Sequence, residues 1–523
     1  REDLALASSV RATFSPASLI YGNVGVVVNA VQVSKDLQIT NQSGGANTYA
    51  ISFQNLNPGS GISLSASTTP VSPAAGQSAT VTITITAAGG AGTGDRTGYV
   101  VITDQSSQIL RVPYWLRIVP PPSVQFNSSV FSVSEGPPPS GATARVASIV
   151  VTRAGDPSTT VSVDFATSNG TASQRTDYTT ASGTITFAPG ETTRGFNVPI
   201  IDDGYTEMTE TVNLTLSNAV GADLGSPNQA VLSIDDDDDE GPATTNPLDD
   251  PTWFVRQHYF DFLSRTPDPG GFAFWIGKIN GAPACGDAAC LLQRRISVSN
   301  SFFFELEFQQ TGAYVFRLYR SAYGNDQPFR NPDNSNLTEA KKLPSYQVFA
   351  RDRAKVVGGS NLAQKQLDLA NSFVSRAEFL TKYPLATYPT ADLFVDAVLT
   401  NIQSDLGVSL TSQRAALITL YNTGGRGAVL YRLADDNQQT NPINNRPLID
   451  EEYNRAFVTT QYFGYLRRDP DIGGIIFWLG QVNSAPLRDL AKQNAMVCSF
   501  ITSGEYQFRF SPVAPHSNSE CPH

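Results

Sequence analysis

The residues with the clearest chemistry are carboxylates that gather in three places. Glu135 stands in FSVSEG, Asp202, Asp203, Glu207 and Glu210 share IIDDGYTEMTE, and Asp235, Asp236 and Asp237 open the run DDDDDEG. Each group flanks a segment with the alternating pattern of a β-strand. Loops of a β-sandwich gather at its two ends, so acidic stretches distant in sequence can meet there. A hard cation such as Ca2+ takes about six to eight oxygens and favours shared carboxylates. Without a cation the same cluster would repel itself. An aspartate run alone reads equally as a solvated acidic linker. Asp238, Asp239 and Glu240 are assigned to such a linker, which continues as GPATTNPLDDP.

Other reactive residues point to stability more than to catalysis. The order of Cys285, Cys290, Cys498 and Cys521 favours two local disulfides, Cys285 with Cys290 in CGDAAC and Cys498 with Cys521. Zinc is the rival reading, but only two of the four lie close together, and His516 and His523 fall in a tail expected to be mobile. The remaining histidine, His258, has Gln461 as its counterpart in an internal repeat described below. No GxSxG, HExxH, P-loop or GxGxxG opens a helix, so no enzyme activity is expected. RRDPDIGG begins like an EF-hand loop, but Gly480 stands where the bidentate Glu belongs.

The elements that must hold these residues divide the 523-residue chain, long enough at roughly 150 residues each for three or four domains. After an N-terminal extension (1–12), residues 13–119 and 123–241 alternate with period two between Gly, Pro, Ser and Asn turns, as in VQVSKDLQIT and ATVTITITA. Both read as immunoglobulin-like β-sandwiches. A linker (242–250) leads to residues 251–510, where Val255, Tyr259, Phe262 and Leu263 take helical spacing, and a tail (511–523) follows. The fold class is thus multidomain β + α, two sandwiches followed by an all-α domain. That domain contains a split repeat. WFVRQHYFDFLSRTPDPGGFAFWIGKIN (253–280) matches AFVTTQYFGYLRRDPDIGGIIFWLGQVN (456–483), and FQQTGAYVFR (308–317) is aligned with FITSGEYQFR (500–509). Asp268 and Asp471 suit helix N-caps, Trp275 and Trp478 suit core anchors, and Arg265 and Arg468 suit pairing with a carboxylate.

Charge places further limits. Only 16% of residues are charged, and residues 1–244 carry the whole net charge of −11 with a single lysine, Lys35. That argues against nucleic acid or an anionic membrane as partner. No apolar run approaches the roughly 20 residues of a membrane span. Sequons at Asn41, Asn127, Asn169, Asn213 and Asn336 permit glycosylation.

The words FSVSEG, ATSNGTA, TDY, GTITFAPGET, IIDDGYTEMTE and LSIDDDDDEG, in that order, resemble the Calx-β family over residues 123–241. The resemblance implies a sandwich whose calcium-binding members hold several ions at one end. It implies Glu135, Asp202, Asp203, Glu207, Glu210, Asp235, Asp236 and Asp237 as ligands, with the backbone carbonyl of Tyr205. Asn169 stands where calcium-binding relatives often carry Asp, and can still offer an oxygen. The helical repeat is similar to a bacterial domain-of-unknown-function family with a YxxFLxRxPDxxGxxxW-type signature. That family is commonly appended to large secreted or surface proteins.

Together these readings lead to the expectation of an extracellular or cell-surface, calcium-binding structural or adhesion protein. A filament or matrix subunit fits, with self-association or other surface proteins as partners and the first 12 residues as a donor strand. Glycan binding by the first sandwich has only Tyr114 and Trp115 as an aromatic platform. The alternative is the accessory region of a larger secreted enzyme, since REDLALASSV before SPASLIYG resembles the junction that follows subtilisin-like catalytic domains.

Overall fold

A computed structural model describes residues 11–25, 30–57, 61–238, 243–328 and 338–521. The donor-strand segment up to residue 10, Asp239, Glu240, the Asn336 sequon and His523 lie outside the described residues.

The first sandwich is built from β1 (Ala12–Ser15), β2 (Leu19–Gly25), β3 (Val31–Asn41), β4 (Tyr49–Asn55), β5 (Ile62–Ala66), β6 (Ser78–Ala87), β7 (Gly94–Asp104) and β8 (Ile109–Val119). Two sheets, β1-β3-β6-β5 and β2-β8-β7-β4, enclose its core. Period-two alternation decides what faces inward: Val81, Ile83 and Ile85 are fully buried, while the threonines between them are partly exposed. Tyr114 is buried and donates its hydroxyl to Asn55 (2.6 Å), so of the expected platform only Trp115 has a free face. Asn41 is fully buried, with its amide bonded to the Gly45 and Pro73 carbonyls, which closes that sequon to modification in the folded state.

The second sandwich follows with β9 (Ser123–Phe126), β10 (Val130–Ser134), β11 (Val146–Ala154), β12 (Val161–Asn169), β13 (Ser182–Phe187), β14 (Thr193–Pro199), β15 (Glu210–Val220), β16 (Asp223–Leu224) and β17 (Gln229–Asp235). Its sheets run β10-β17-β15-β12-β13 and β14-β11-β9-β16. The register brings distant residues to one end. Ser134 is level with Asp235 in the parallel β10–β17 pair, Glu210 with Ile234, and Asn169 with Val212. The ends of β10, β12 and β17 and the start of β15 therefore share one edge of the same sheet.

Helices dominate from Pro251 onward. The two repeat copies share an unusual local design. Each has an α-helix (Pro251–His258 and Arg446–Gln461) that widens into a π-helical turn (Tyr259–Leu263 and Tyr462–Leu466) and stops at a left-handed residue, Ser264 or Arg467. A second helix then begins behind Asp268 or Asp471, whose carboxylate accepts the Gly271 or Gly474 N–H at 2.8 and 2.7 Å. Those glycines are obligatory, because a Cβ there would stand 2.3 or 2.0 Å from the Tyr259 or Tyr462 hydroxyl.

The second shared phrase aligns differently from the sequence reading. Arg265 pairs with Glu307 (2.5 Å) and Arg468 with Glu505 (2.6 Å), while Tyr259–Phe302 and Tyr462–Phe500 form the same edge-on ring contact. SFFFELEFQ (301–309) is thus the counterpart of SFITSGEYQ (499–507). The aromatic and glycine matches in FQQTGAYVFR attracted the wrong register, because only the ion pair and ring contacts mark equivalence in space.

Both expected disulfides are present. The tail, expected to be mobile, is pinned by Cys498–Cys521, by His516 between Asp249 and Glu520 (2.9 Å each), and by Asn246 donating to the Val513 carbonyl (2.7 Å). Local sequence at 511–521 carries no helical or strand period, so its order comes from these long-range contacts. His258 is fully buried, bonded to the Phe254 carbonyl and the Ser299 hydroxyl at 2.8 Å each, and burial lowers its pKa to about 4. It is a neutral core residue. Among the described residues no helix is long and apolar enough to cross a membrane.

Candidate metal site

The acidic segments meet at the sheet edge that the register creates. The parallel pairing of β10 with β17 continues one step further, with the Glu135 N–H donating to the Asp235 carbonyl (2.8 Å). Asp237 then lies against Gly136, where a Cβ would come within 2.2 Å of its carboxylate. From β14 the chain runs through Ile201 into Asp202 and Asp203, and the Asp203 N–H donates to Glu135 Oε1 (2.8 Å). Asp236 accepts the Glu207 N–H (2.8 Å). Three separate segments are thereby tied into one wall of carboxylates.

A fourth segment, the loop between β12 and β13, completes the wall. Asp177 is buried there, its carboxylate accepts the Ser173 N–H (2.6 Å), and its carbonyl accepts the Ile201 N–H (2.9 Å). One oxygen each from Asp177, Glu207 and Glu210 lies within 4.8 Å of the others. Two ligands on opposite sides of a Ca2+ ion, each at about 2.4 Å, stand about 4.8 Å apart, so the trio has the span of a shared coordination sphere. Asp177 went unassigned as a ligand, although TDY lay among the family-like words.

Asn169 is corrected in turn. Its side-chain oxygen accepts the Gln174 N–H (2.9 Å) and the Tyr178 hydroxyl (2.8 Å), so it shapes the loop that carries Asp177 and is not turned to the cluster. Asp235 is exposed and caps Thr209 (3.0 Å) at the rim. Tyr205 donates its N–H to Asp203 (2.8 Å).

Electrostatics identify the cluster as a place that lacks positive charge. Burial, reinforced by Glu135, pushes Asp203 up to about 10. Burial and then the surrounding carboxylates raise Glu135 to about 8, Glu210 to about 8, Glu207 to about 7 and Asp202 to about 6. Asp177 Oδ1, Asp203 Oδ2 and Glu210 Oε2 are buried without a hydrogen-bond partner. Orphaned buried oxygens in an all-carboxylate setting match the hard-cation donor set and lack the sulfur or imidazole that softer metals prefer.

The same loops form the seat of the helical domain. Trp253 donates its indole N–H to the Asp202 carbonyl (2.6 Å), Gly204 its N–H to the Phe510 carbonyl (2.9 Å), and Tyr205 its hydroxyl to the Phe508 carbonyl (2.9 Å). On the Asp177 loop, Arg467 reaches the Tyr178 carbonyl (2.9 Å) and Thr179 (3.1 Å), Arg509 the Arg175 carbonyl (2.7 Å), and Arg175 pairs with Glu505 (2.8 Å). Arg467 and Arg509 are buried and share Asp261, also fully buried, at 3.0 and 3.3 Å.

Residues 120–238 match the Calx-beta domain family. Sodium/calcium exchanger 1 of Mus musculus is 41% identical over 117 residues, which cover 19% of this chain and 12% of the exchanger. The chain therefore spans about an eighth of that relative. The apo form of the Calx CBD1 domain is 32% identical, covering 23% of this chain and 99% of that structure, with a TM-score of 0.21. The calcium binding domain CBD12 of CALX1.1 is 33% identical, covering 24% of this chain and 50% of that one, also at 0.21.

Proposed function

We propose that this is an extracellular or cell-surface calcium-binding structural protein, in which the Calx-beta segment binds Ca2+ and thereby fixes how the helical domain is seated. The observation that carries the reading is that Asp177, Asp202 and Asp203 contribute to the acidic wall while their immediate neighbours hold the helical domain. A bound divalent cation supplies the positive charge that lets these carboxylates ionise together. The Asp177 loop and the Asp202–Tyr205 segment then hold one geometry, and Arg467, Arg509 and Trp253 read it from the far side. Two disulfides and a nearly lysine-free acidic half accord with an oxidising extracellular setting. A stiffened tandem of sandwiches and helices suits adhesion, a matrix or a filament, with other copies or surface proteins as partners.

Calorimetric titration of the metal-free full chain with CaCl2, together with hydrogen exchange of the same samples, tests this. The expected result is saturable binding, in the range of about 10⁻⁴ to 10⁻³ M typical of extracellular modules, with slower exchange at 172–182 and 201–207 and in the facing helices. Absence of binding, or binding that leaves the helical side unchanged, overturns the proposal. Light scattering and electron microscopy with calcium and with chelator test assembly; a monomer identical in both removes the filament reading.

A further inference from the structure

The second repeat copy contains a cleft that the calcium reading does not use. It lies between the helices Ile472–Asn483 and Leu490–Ile501, closed on one side by the tail at Asn518 and Cys521, and its volume is about 590 Å3. We infer that this cleft is a binding site for a neutral oligosaccharide.

Its chemistry is amphipathic and charge-balanced. Phe477 is 55% exposed and stands edge-on to the half-buried Trp478, with ring centroids 5.0 Å apart, so the pair presents an aromatic surface to the cleft. The C–H face of a pyranose stacks on such a surface. Around it, two cations meet two anions. Arg468 is bound through two bonds to Glu505 (2.6 and 2.8 Å), and Asp471 lies 3.7 Å from Arg468, while Lys492 donates to Gln481 Oε1 (3.3 Å). Among the lining residues the charges balance, with Arg175 held on Glu505 (2.8 Å) from outside the lining, so an anionic ligand finds no surplus positive charge on the walls, and a lipid chain would leave the polar rim unmatched. Among the described residues, the amide NH2 groups of Gln481 and Asn518 have no hydrogen-bond partner. Planar amides, a guanidinium and a carboxylate at one rim supply the paired donors and acceptors that vicinal hydroxyls require. The volume falls within the roughly 300–1,000 Å3 of ordinary ligand clefts.

The first copy differs at one rim residue. Lys278 occupies the place of Gln481 and sets its ammonium 5.0 Å from the centre of the Phe274 ring, which is as exposed (53%) as Phe477. The first copy thus carries a cation beside its aromatic ring where the second carries a neutral amide.

The test uses the full chain with cellotriose, maltotriose and chitotriose as probes and AMP as an anionic control, followed by calorimetry and tryptophan emission. At least one trisaccharide is expected to bind saturably, with affinity unchanged by chelator. Gln481→Lys, which installs the first copy's residue at a partly exposed position, is expected to weaken binding about tenfold or more, and Trp478→Ala to do the same. Circular dichroism checks both folds, and Gln481→Lys carries the test if Trp478→Ala unfolds. The inference is overturned if none of the three sugars binds at about 10 mM, a concentration that detects even very weak sites. It is also overturned if folded Gln481→Lys binds as well as the parent, or if AMP binds more tightly than every sugar. Because chelator separates the two sites, failure here leaves the calcium proposal standing, and the reverse.

Discussion

If the carboxylate wall binds calcium, binding must expel protons. In the metal-free fold, burial and then the neighbouring Glu135 push Asp203 up to about 10, and burial followed by the surrounding carboxylates pushes Glu135 up to about 8. At pH 7 both therefore hold a proton, whereas cation ligands must be ionised. Titration with CaCl2 should release about two protons from this pair, so affinity should rise about tenfold per pH unit for each proton, or up to about a hundredfold from pH 6 to pH 7. The smaller estimate, one proton, corresponds to about 1.4 kcal/mol per pH unit. Glu210, also raised to about 8, and Glu207, raised to about 7, add to this count where they ligate the ion. The sign for folding is the opposite. Both acids have folded pKa values above their unfolded ones, so the metal-free fold is more stable at pH 6 than at pH 8, losing stability as pH rises from about 4 toward 8 for Glu135 and toward 10 for Asp203. The assay is calorimetry at pH 7 in Pipes, Hepes and Tris, whose ionisation heats differ; the slope of observed against buffer enthalpy counts protons. Glu135→Gln should lower that count by about one. A zero slope in the parent, or an affinity flat between pH 6 and 8, would refute the electrostatic reasoning.

Asp177→Asn is expected to weaken calcium binding about tenfold or more, while Asn169→Asp shifts it by less than about threefold; calorimetry of both at pH 7.5 decides whether the loop residue or the strand-end residue is the ligand. Gly136→Ala places a Cβ 2.2 Å from the Asp237 carboxylate and should lower calcium affinity with little change in the metal-free melting temperature. Arg467→Met leaves Asp261 with less compensation in a buried setting, at a cost of about 3–5 kcal/mol, and faster exchange at 173–182 is the readout that locates the effect. Replacing Cys498 and Cys521 with Ser opens a loop of sequence separation 23 and should lower stability by about 3 kcal/mol, measured by guanidinium unfolding of the helical domain.

The sandwiches and the helical domain were legible from the chain because their signals are local. A strand with one buried face must alternate, as ATVTITITA does, and a helix start is marked by its capping Asp, as at Asp268 and Asp471. The acidic segments were legible for the same reason, since each flanks a strand. What each carboxylate does was decided in space. Asn169 ends β12 and Asp177 lies on the loop that follows, and only the folding of that loop shows that the first is bonded to Gln174 and Tyr178 while the second faces Glu207 and Glu210. The repeat register depends on which glutamate Arg265 and Arg468 reach, a long-range choice masked by the different lengths of chain between the paired residues. His516 acquires Asp249 as a partner, 267 positions away. The seating of the helical domain on the Asp177 and Asp202–Tyr205 loops had no sequence signal at all, because carbonyl acceptors and buried arginines carry no period. Local rules fix which elements form; shared burial, acting between residues hundreds of positions apart, settles which side chains meet.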